Sequence, residues 1–278
     1  MSGKGINQIL NGRIEMRKCI ARLPPLIFTM LVMIGASMSA CAGFLGFGGD
    51  SWEEEVLLHD GSKIIVERKL SYGGRHEIGH PPPIKEQTLS FTLPNTGKTI
   101  DWTSEYSEDV GRANFHLLAL HVLNGTPYIV AEPNLCLSYN KWGRPNPPYV
   151  FFKYDGKEWQ RIPLAALPAE FRTLNIAIDL ARQDVDLMVR EGLVKAETIK
   201  RRNGELEYNY PQYRSILREA VPNGGGGCIK TDYYKGAGWL SPDWFTDQPS
   251  PEACLRFCEY KKIASESCPC KFFFKGAK

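Results

Sequence analysis

His76-Glu77-Ile78-Gly79-His80 sets two imidazoles four residues apart, with a carboxylate beside the first. On a helix that spacing brings both rings to one face, where they can hold zinc while the glutamate acts as base toward a bound water. The flanks oppose a helix: Ser71-Tyr72-Gly73-Gly74 comes before and Pro81-Pro82-Pro83 follows at once, and Pro81 pushes His80 itself out of the α region. His116 and His121 lie five apart in a run with strand character, so alternation predicts opposite faces for them. No serine sits in a GxSxG elbow. Glu105 with Asp109, and Asp184 with Asp186, are carboxylate pairs of a kind glycosidases use, at spacings that equally mark a solvated face.

Residues 76–80 resemble, letter for letter, the HExxH signature of zinc metallopeptidases. That resemblance implies zinc on His76 and His80 with Glu77 as base, and a zinc-dependent hydrolase is the alternative function. The family's motif lies within a long amphipathic helix and draws a third ligand from downstream; neither context is present here. The segment is therefore expected to be a solvated loop between two hairpins, and no catalytic residue, metal or cofactor is assigned.

Binding has more material. Tyr139, Tyr154 and Trp159 surround the proline-rigid segment Trp142-Gly143-Arg144-Pro145-Asn146-Pro147-Pro148-Tyr149. Aromatic and arginine anchors on rigid loops suit interfaces, so Trp142, Arg144 and Tyr149 are the candidate binding residues. The competing reading has Trp142 and Tyr149 capping the core. A second cluster, Trp239 to Phe245, can pack the tail on the main domain.

Four hairpins must position these residues. Asp60-Gly61, Asn95-Thr96-Gly97, Asn124-Gly125 and Asp155-Gly156 each separate two strand-like runs, and such pairs supply the positive φ values of tight turns. Leu174, Ile176, Ile178 and Leu180 alternate as a further strand, though Phe171 to Met188 also fits a helical stripe; either way the stripe is core. Asp184–Arg202 favours helix, broken near Gly192, and Pro211–Ala220 can form another. The expected fold is α+β and mainly β: a sandwich or open barrel with short helices over 51–222, then a cysteine-rich unit over 228–278. Gly224-Gly225-Gly226-Gly227 marks a hinge between them.

Six cysteines, Cys136, Cys228, Cys254, Cys258, Cys268 and Cys270, are disulfide candidates. Cys254 and Cys258 are one helical turn apart and Cys268-Pro269-Cys270 reads as extended, so two bridges could staple helix to strand, leaving Cys136 with Cys228. A four-thiolate zinc knot is the alternative, at spacings unlike the usual knuckles. Residues 251–272 resemble the helix-and-strand cysteine core of PAN/apple modules.

At the other end, Lys4, Arg13, Arg17, Lys18 and Arg22 precede an uncharged run, Leu26 to Ala40, that closes on Met38-Ser39-Ala40-Cys41. This resembles the lipobox of bacterial lipoprotein precursors. The resemblance implies a signal peptide over 1–40, begun at Met1 or Met16, acylation of Cys41, and a glycine-rich tether over 41–50. Ala42 after the cysteine implies the outer membrane, periplasmic face. The stretch from Trp52 to Gly61 resembles the opening strand and turn of proteobacterial lipoproteins, which implies a location and no activity. Residues 1–40 hold five of the 34 Lys and Arg and one of the 31 Asp and Glu, leaving 29 basic against 30 acidic side chains. Nothing in that balance suits nucleic acid. The expected function is non-enzymatic: membrane-tethered binding of a periplasmic protein, such as an immunity-type inhibitor of a toxin, or of an envelope component.

Overall fold

The computed structural model describes residues 49–274 except 95, 179, 208–210 and 223–226. The expected leader, Cys41, most of the expected tether and Gly224 to Gly226 of the expected hinge lie outside the described residues. Among those described, no helix is long and apolar enough to cross a membrane.

The four hairpins form as expected. Strands β1 (Asp50–Leu57), β2 (Lys63–Tyr72), β3 (Ile84–Thr92) and β4 (Thr99–Ser104) make one antiparallel meander. The pair β5 (Tyr106–Ser107) and β6 (Arg112–Ala113) then leads into a second meander. It comprises β7 (Phe115–Leu123), β8 (Thr126–Pro133), β9 (Val150–Tyr154) and β10 (Trp159–Ile162). The first turn works because Gly61 takes φ 86°, a value costly for residues with a Cβ. Strand β1 starts at Asp50, so the fold begins one residue inside the expected tether.

The two sheets face each other, which makes the fold a sandwich. Val56, Val66, Leu89, Phe91 and Trp102 of the first sheet interdigitate with Phe115, Leu117, Leu120, Ile129 and Phe152 of the second. The second sheet is buried on its other face as well, where Leu118, Tyr128, Val130 and Phe151 pack on Phe171, Ile178 and Ile216. One residue makes this possible. A bulge at Leu118 breaks the alternation of β7, so Leu117 and Leu120 enter one core while Leu118 and Ala119 enter the other.

A third core closes the end of the first sheet. Helix α1 (Leu135–Lys141) follows β8, whereas α2 (Arg182–Glu191) and α3 (Ala196–Glu207) bring Val185, Met188 and Ile199 against Trp52 and Leu70. Between α2 and α3, Leu193–Val194 forms β11 and pairs in parallel with Glu53 and Glu54 of β1, making the first sheet five-stranded.

Three expectations need correction. Of the expected strand from Leu174 to Leu180, Leu174 to Ile178 is neither strand nor helix, although Ile176, Ala177 and Ile178 are buried as core. Its backbone is held by side chains instead: Asn203 Oδ1 accepts from the Ile178 amide, and Asn203 Nδ2 donates to the Ile176 carbonyl. Pro211–Ala220 holds only a 3-10 turn at Pro211–Tyr213, because the Tyr149 hydroxyl takes the Gln212 and Ser215 carbonyls. The Ile216 amide likewise donates to the Arg172 carbonyl. In the tail, Cys268 has no regular structure, Pro269 lies in a turn, and Cys270 opens a helix where a strand was expected.

That tail has its own small core. The β12–β13 hairpin (Asp232–Tyr234, Gly238–Leu240), α4 (Asp243–Thr246), α5 (Pro251–Tyr260) and α6 (Cys270–Phe273) surround buried Phe245 and four cysteines. Cys254 bonds Cys270 and Cys258 bonds Cys268, while Cys136 in α1 bonds Cys228 and ties the tail to the sandwich.

Candidate functional site

The loop after α1 is built by the end of that helix. Gly143 (φ 83°) and Arg144 (φ 55°) turn the chain left-handed, and the Arg144 amide reaches back to the Tyr139 carbonyl at 2.9 Å. A non-glycine residue at positive φ needs compensation. Arg144 has it: Nη1 donates to Asn140 Oδ1 at 2.7 Å, Nη2 to the Cys228 carbonyl at 2.8 Å, and the guanidinium lies 5.0 Å over the Tyr139 ring.

The three expected anchors therefore point three ways. Trp142 sits 4.5 Å from Phe115 at the edge of the sandwich core, with Nε1 on Asn114 Oδ1 at 3.3 Å. Tyr149 is 2 % exposed, with its ring in the second core and its hydroxyl 2.5 Å from the Gln212 carbonyl; it offers no contact surface. Arg144 fastens the tail. The core-capping reading describes Trp142 and Tyr149, and Arg144 is a brace.

What stays open is a surface groove of about 400 Å³ beside the loop, bounded by Pro145, Asn146, Pro147, Arg161, Ile162 and Leu164, with Tyr149 and Phe151 below. Its wall is tied down by hydrogen bonds: Asn146 clamps Val221, donating Nδ2–H to its carbonyl at 3.1 Å and accepting from its amide at 2.8 Å. Arg161 lies 5.6 Å over Trp142, with Nη2 3.3 Å from the Trp142 carbonyl. The groove runs beside β10, the terminal strand of its sheet.

Residues 76–80 form an exposed loop. Ile78 is fully exposed, His76 Nδ1 lies 2.9 Å from the Gly74 carbonyl, and His80 Nδ1 is 3.8 Å from a Glu77 oxygen. The loop is moored at its start, where the Arg75 amide donates to the Gly111 carbonyl; a Cβ on Gly74 would fall 2.3 Å from that oxygen. The helical geometry that would turn His76 and His80 toward one ion is not formed. Among the described residues, the group of three metal-competent side chains brought together is Cys258, Cys268 and Cys270, whose sulfurs are consumed by disulfides.

The other candidates are also accounted for. Asp109 pairs with Lys141 at 2.8 Å, Asp184 with Arg202 at 2.9 Å and Asp186 with Arg182 at 3.1 Å. Trp239 packs the tail on the sandwich as expected, its Nε1 donating to the Asp109 carbonyl at 2.7 Å. His116 and His121 come to the same face of β7, contrary to strict alternation, because the bulge at Leu118 lies between them. Their cross-strand partners, Glu132 and Tyr128, are four residues apart, about 13 Å along the strand, so the two rings belong to different sites.

Sequence reasoning missed a buried polar row on the first sheet. Glu54 and Arg68 meet there with no exposure, and Arg68 Nη2 donates to Gln87 Oε1 at 3.1 Å. A readable signal existed. Each occupies the inward-facing parity of its strand: Trp52, Glu54, Val56; Val66, Arg68, Leu70; Gln87, Leu89, Phe91.

Fold and site together define a disulfide-bonded β-sandwich with a cysteine-knit tail. No family model matches this chain, and no curated protein or solved structure shows significant similarity to it.

Proposed function

We propose that this chain is a lipid-anchored protein of the outer membrane, facing the periplasm, that acts by binding another protein. The observation that carries the reading is the pairing of all six cysteines beyond Cys41 into three disulfides, a state that exported proteins keep and cytosolic ones rarely do. The leader and Met38-Ser39-Ala40-Cys41 supply the address, and acylation of Cys41 would hold the protein at the membrane.

The groove beside residues 145–149 is the surface best suited to a partner. Its proline-rich wall is already ordered by Asn146, Arg144 and the Cys136–Cys228 bridge, so docking there loses little conformational entropy. Arg161 offers a cation at the rim, and Pro145 and Leu164 offer apolar contact.

Two measurements test the reading. Mass spectrometry of the processed amino terminus should find an acylated Cys41; an intact leader with a free thiol overturns the anchor. A photo-crosslinking residue at Leu164 should capture one protein in the periplasm, and Arg161→Glu should abolish that adduct. If Arg161→Glu leaves it in place, the groove is not the binding surface.

A further inference from the structure

Exposed aromatic rings are confined to the tail. Among the described residues of the sandwich every Phe, Tyr and Trp is buried or half-buried, whereas Tyr233, Trp244, Tyr260, Phe272 and Phe273 are exposed. Trp244 and Tyr260 belong to one surface. Trp244 stacks on Phe257 at 6.0 Å, and Lys261 Nζ lies 5.4, 5.7 and 5.5 Å from the Trp244, Phe257 and Tyr260 rings. Phe257, Tyr260 and Lys261 stand at i, i+3 and i+4 along α5 and its cap, while Glu252 and Glu259 share a different side of the helix. Packing on neutral rings positions the Lys261 ammonium without neutralising it. Amphipathic rings around a lysine stem are what side chains present at a membrane–water boundary, with rings at headgroup depth and the charge reaching outward.

The fold sets this surface at the end of the sandwich where β1 begins. There β1 starts beside the end of β2, and Gln87, opposite Leu70, donates to the Phe115 carbonyl at the start of β7. Phe115 in turn lies opposite Pro133, at the end of β8, and α1 follows at once. Cys136–Cys228 and the hydrogen bond from Trp239 to the Asp109 carbonyl fix the tail at that end. The chain from Cys41 to Gly49 reaches at most about 29 Å when extended, so acyl groups on Cys41 would hold the same end close to a bilayer. Charge agrees with that placement: residues 228–278 carry eight Lys and Arg against six Asp and Glu, whereas residues 41–227 carry 21 against 24. The cationic part of the chain is the part suited to an anionic leaflet.

We propose that the face formed by Trp244, Phe257, Tyr260 and Lys261 docks on the anionic glycerophospholipid surface that holds the anchor, with the rings among the glycerol groups and the ammonium on a phosphate. The inference rests on the anchor reading for its proximity to lipid, and the face shares no residue with the partner-binding groove.

Fluorescence quenching tests it, because Trp244 is the one exposed tryptophan of the six. The full chain is bound to vesicles of equimolar phosphatidylethanolamine and phosphatidylglycerol whose acyl chains carry bromine near the glycerol. Bromine should quench the parent's emission, and Trp244→Phe should remove at least half of that quenching. The double variant Tyr260→Ser, Lys261→Glu, which keeps Trp244 as reporter, should also lose at least half of it while the thermal midpoint stays in place. The docking is overturned if the parent is not quenched, or if either variant is quenched like the parent. Mass spectrometry of Cys41 separates the two readings: acylation without quenching overturns the docking alone, and a free thiol with Trp244 quenched overturns the anchor alone.

Discussion

Arg68 and Glu54 meet inside the sandwich with Nη1 3.1 Å from Oε1, and neither side chain reaches solvent. The glutamate is saturated: Oε1 also accepts from Trp52 Nε1 at 2.8 Å, and Oε2 from the Ala177 amide at 3.1 Å. Gln87 extends the row, taking Arg68 on its oxygen and donating from Nε2 to the Phe115 carbonyl of the facing sheet. Burial lowers the pKa of the guanidinium and the Glu54 charge opposes the shift.

Breaking this pair leaves one charge stranded in the core, which typically costs about 3–5 kcal/mol, whereas replacing both partners with apolar residues is often neutral. Arg68→Met should therefore lower the urea midpoint strongly, and the Glu54→Leu, Arg68→Met double variant should recover most of the loss. Equal midpoints for Arg68→Met and the parent would remove the structural role assigned here.

His121 should make stability pH-dependent. It is buried, stacked 4.7 Å on Phe171, and its Nε2–H donates to the Thr173 carbonyl at 2.9 Å. Burial is the main reason its pKa falls from 6.5 to about 4, and the neighbouring His59 charge lowers it further, against the Thr173 hydrogen bond. The folded protein thus binds this proton less readily than the unfolded chain. The contribution is intact above about pH 6.5 and is lost as pH falls toward 4, by at most about 3 kcal/mol. Denaturation between pH 7 and 4 should show that slope, and His121→Gln should flatten it.

The Cys136–Cys228 bridge spans 92 residues. Closing a loop of that length removes unfolded-state entropy worth about 4.6 kcal/mol in the chain-entropy model. Cys136→Ser with Cys228→Ser should lower the thermal midpoint and speed proteolysis between sandwich and tail. Peptide mapping without reductant should still return the Cys254–Cys270 and Cys258–Cys268 pairs, whereas any other pairing contradicts the tail's architecture.

The loop at 76–80 should be dispensable for folding. His76→Ala and His80→Ala remove exposed rings whose nearest polar neighbours are the Gly74 carbonyl and the Glu77 carboxylate, so both should melt with the parent. Stoichiometric zinc in the purified protein, lost on His76→Ala, would instead revive the hydrolase alternative and displace the binding reading.

The hairpins were legible from residue order because their causes are local: a turn residue tolerating positive φ, flanked by alternating apolar residues. The helix break at Gly192 and the tail helix bearing Cys254 and Cys258 were legible for similar reasons. The surroundings of the candidate binding residues were not. Trp142 and Tyr149 have composition suited to an interface, yet residue type alone cannot tell an exposed aromatic from one whose partner, here Phe115 or the Gln212 carbonyl, arrives from elsewhere in the chain.

Local order in the chain thus determined the β-rich class, the hairpin partners and the refusal of residues 76–80 to form a helix, since turns, alternation and prolines act within a few residues. Tertiary structure alone decided that Leu193–Val194 would join β1 in parallel and that Leu118 would bulge. It also decided that Asn175 and Asn203 would stand in for a sheet ladder. Each of those outcomes depends on where distant backbone groups find hydrogen-bond partners once the cores have closed, and a buried backbone group left without one is too costly to persist.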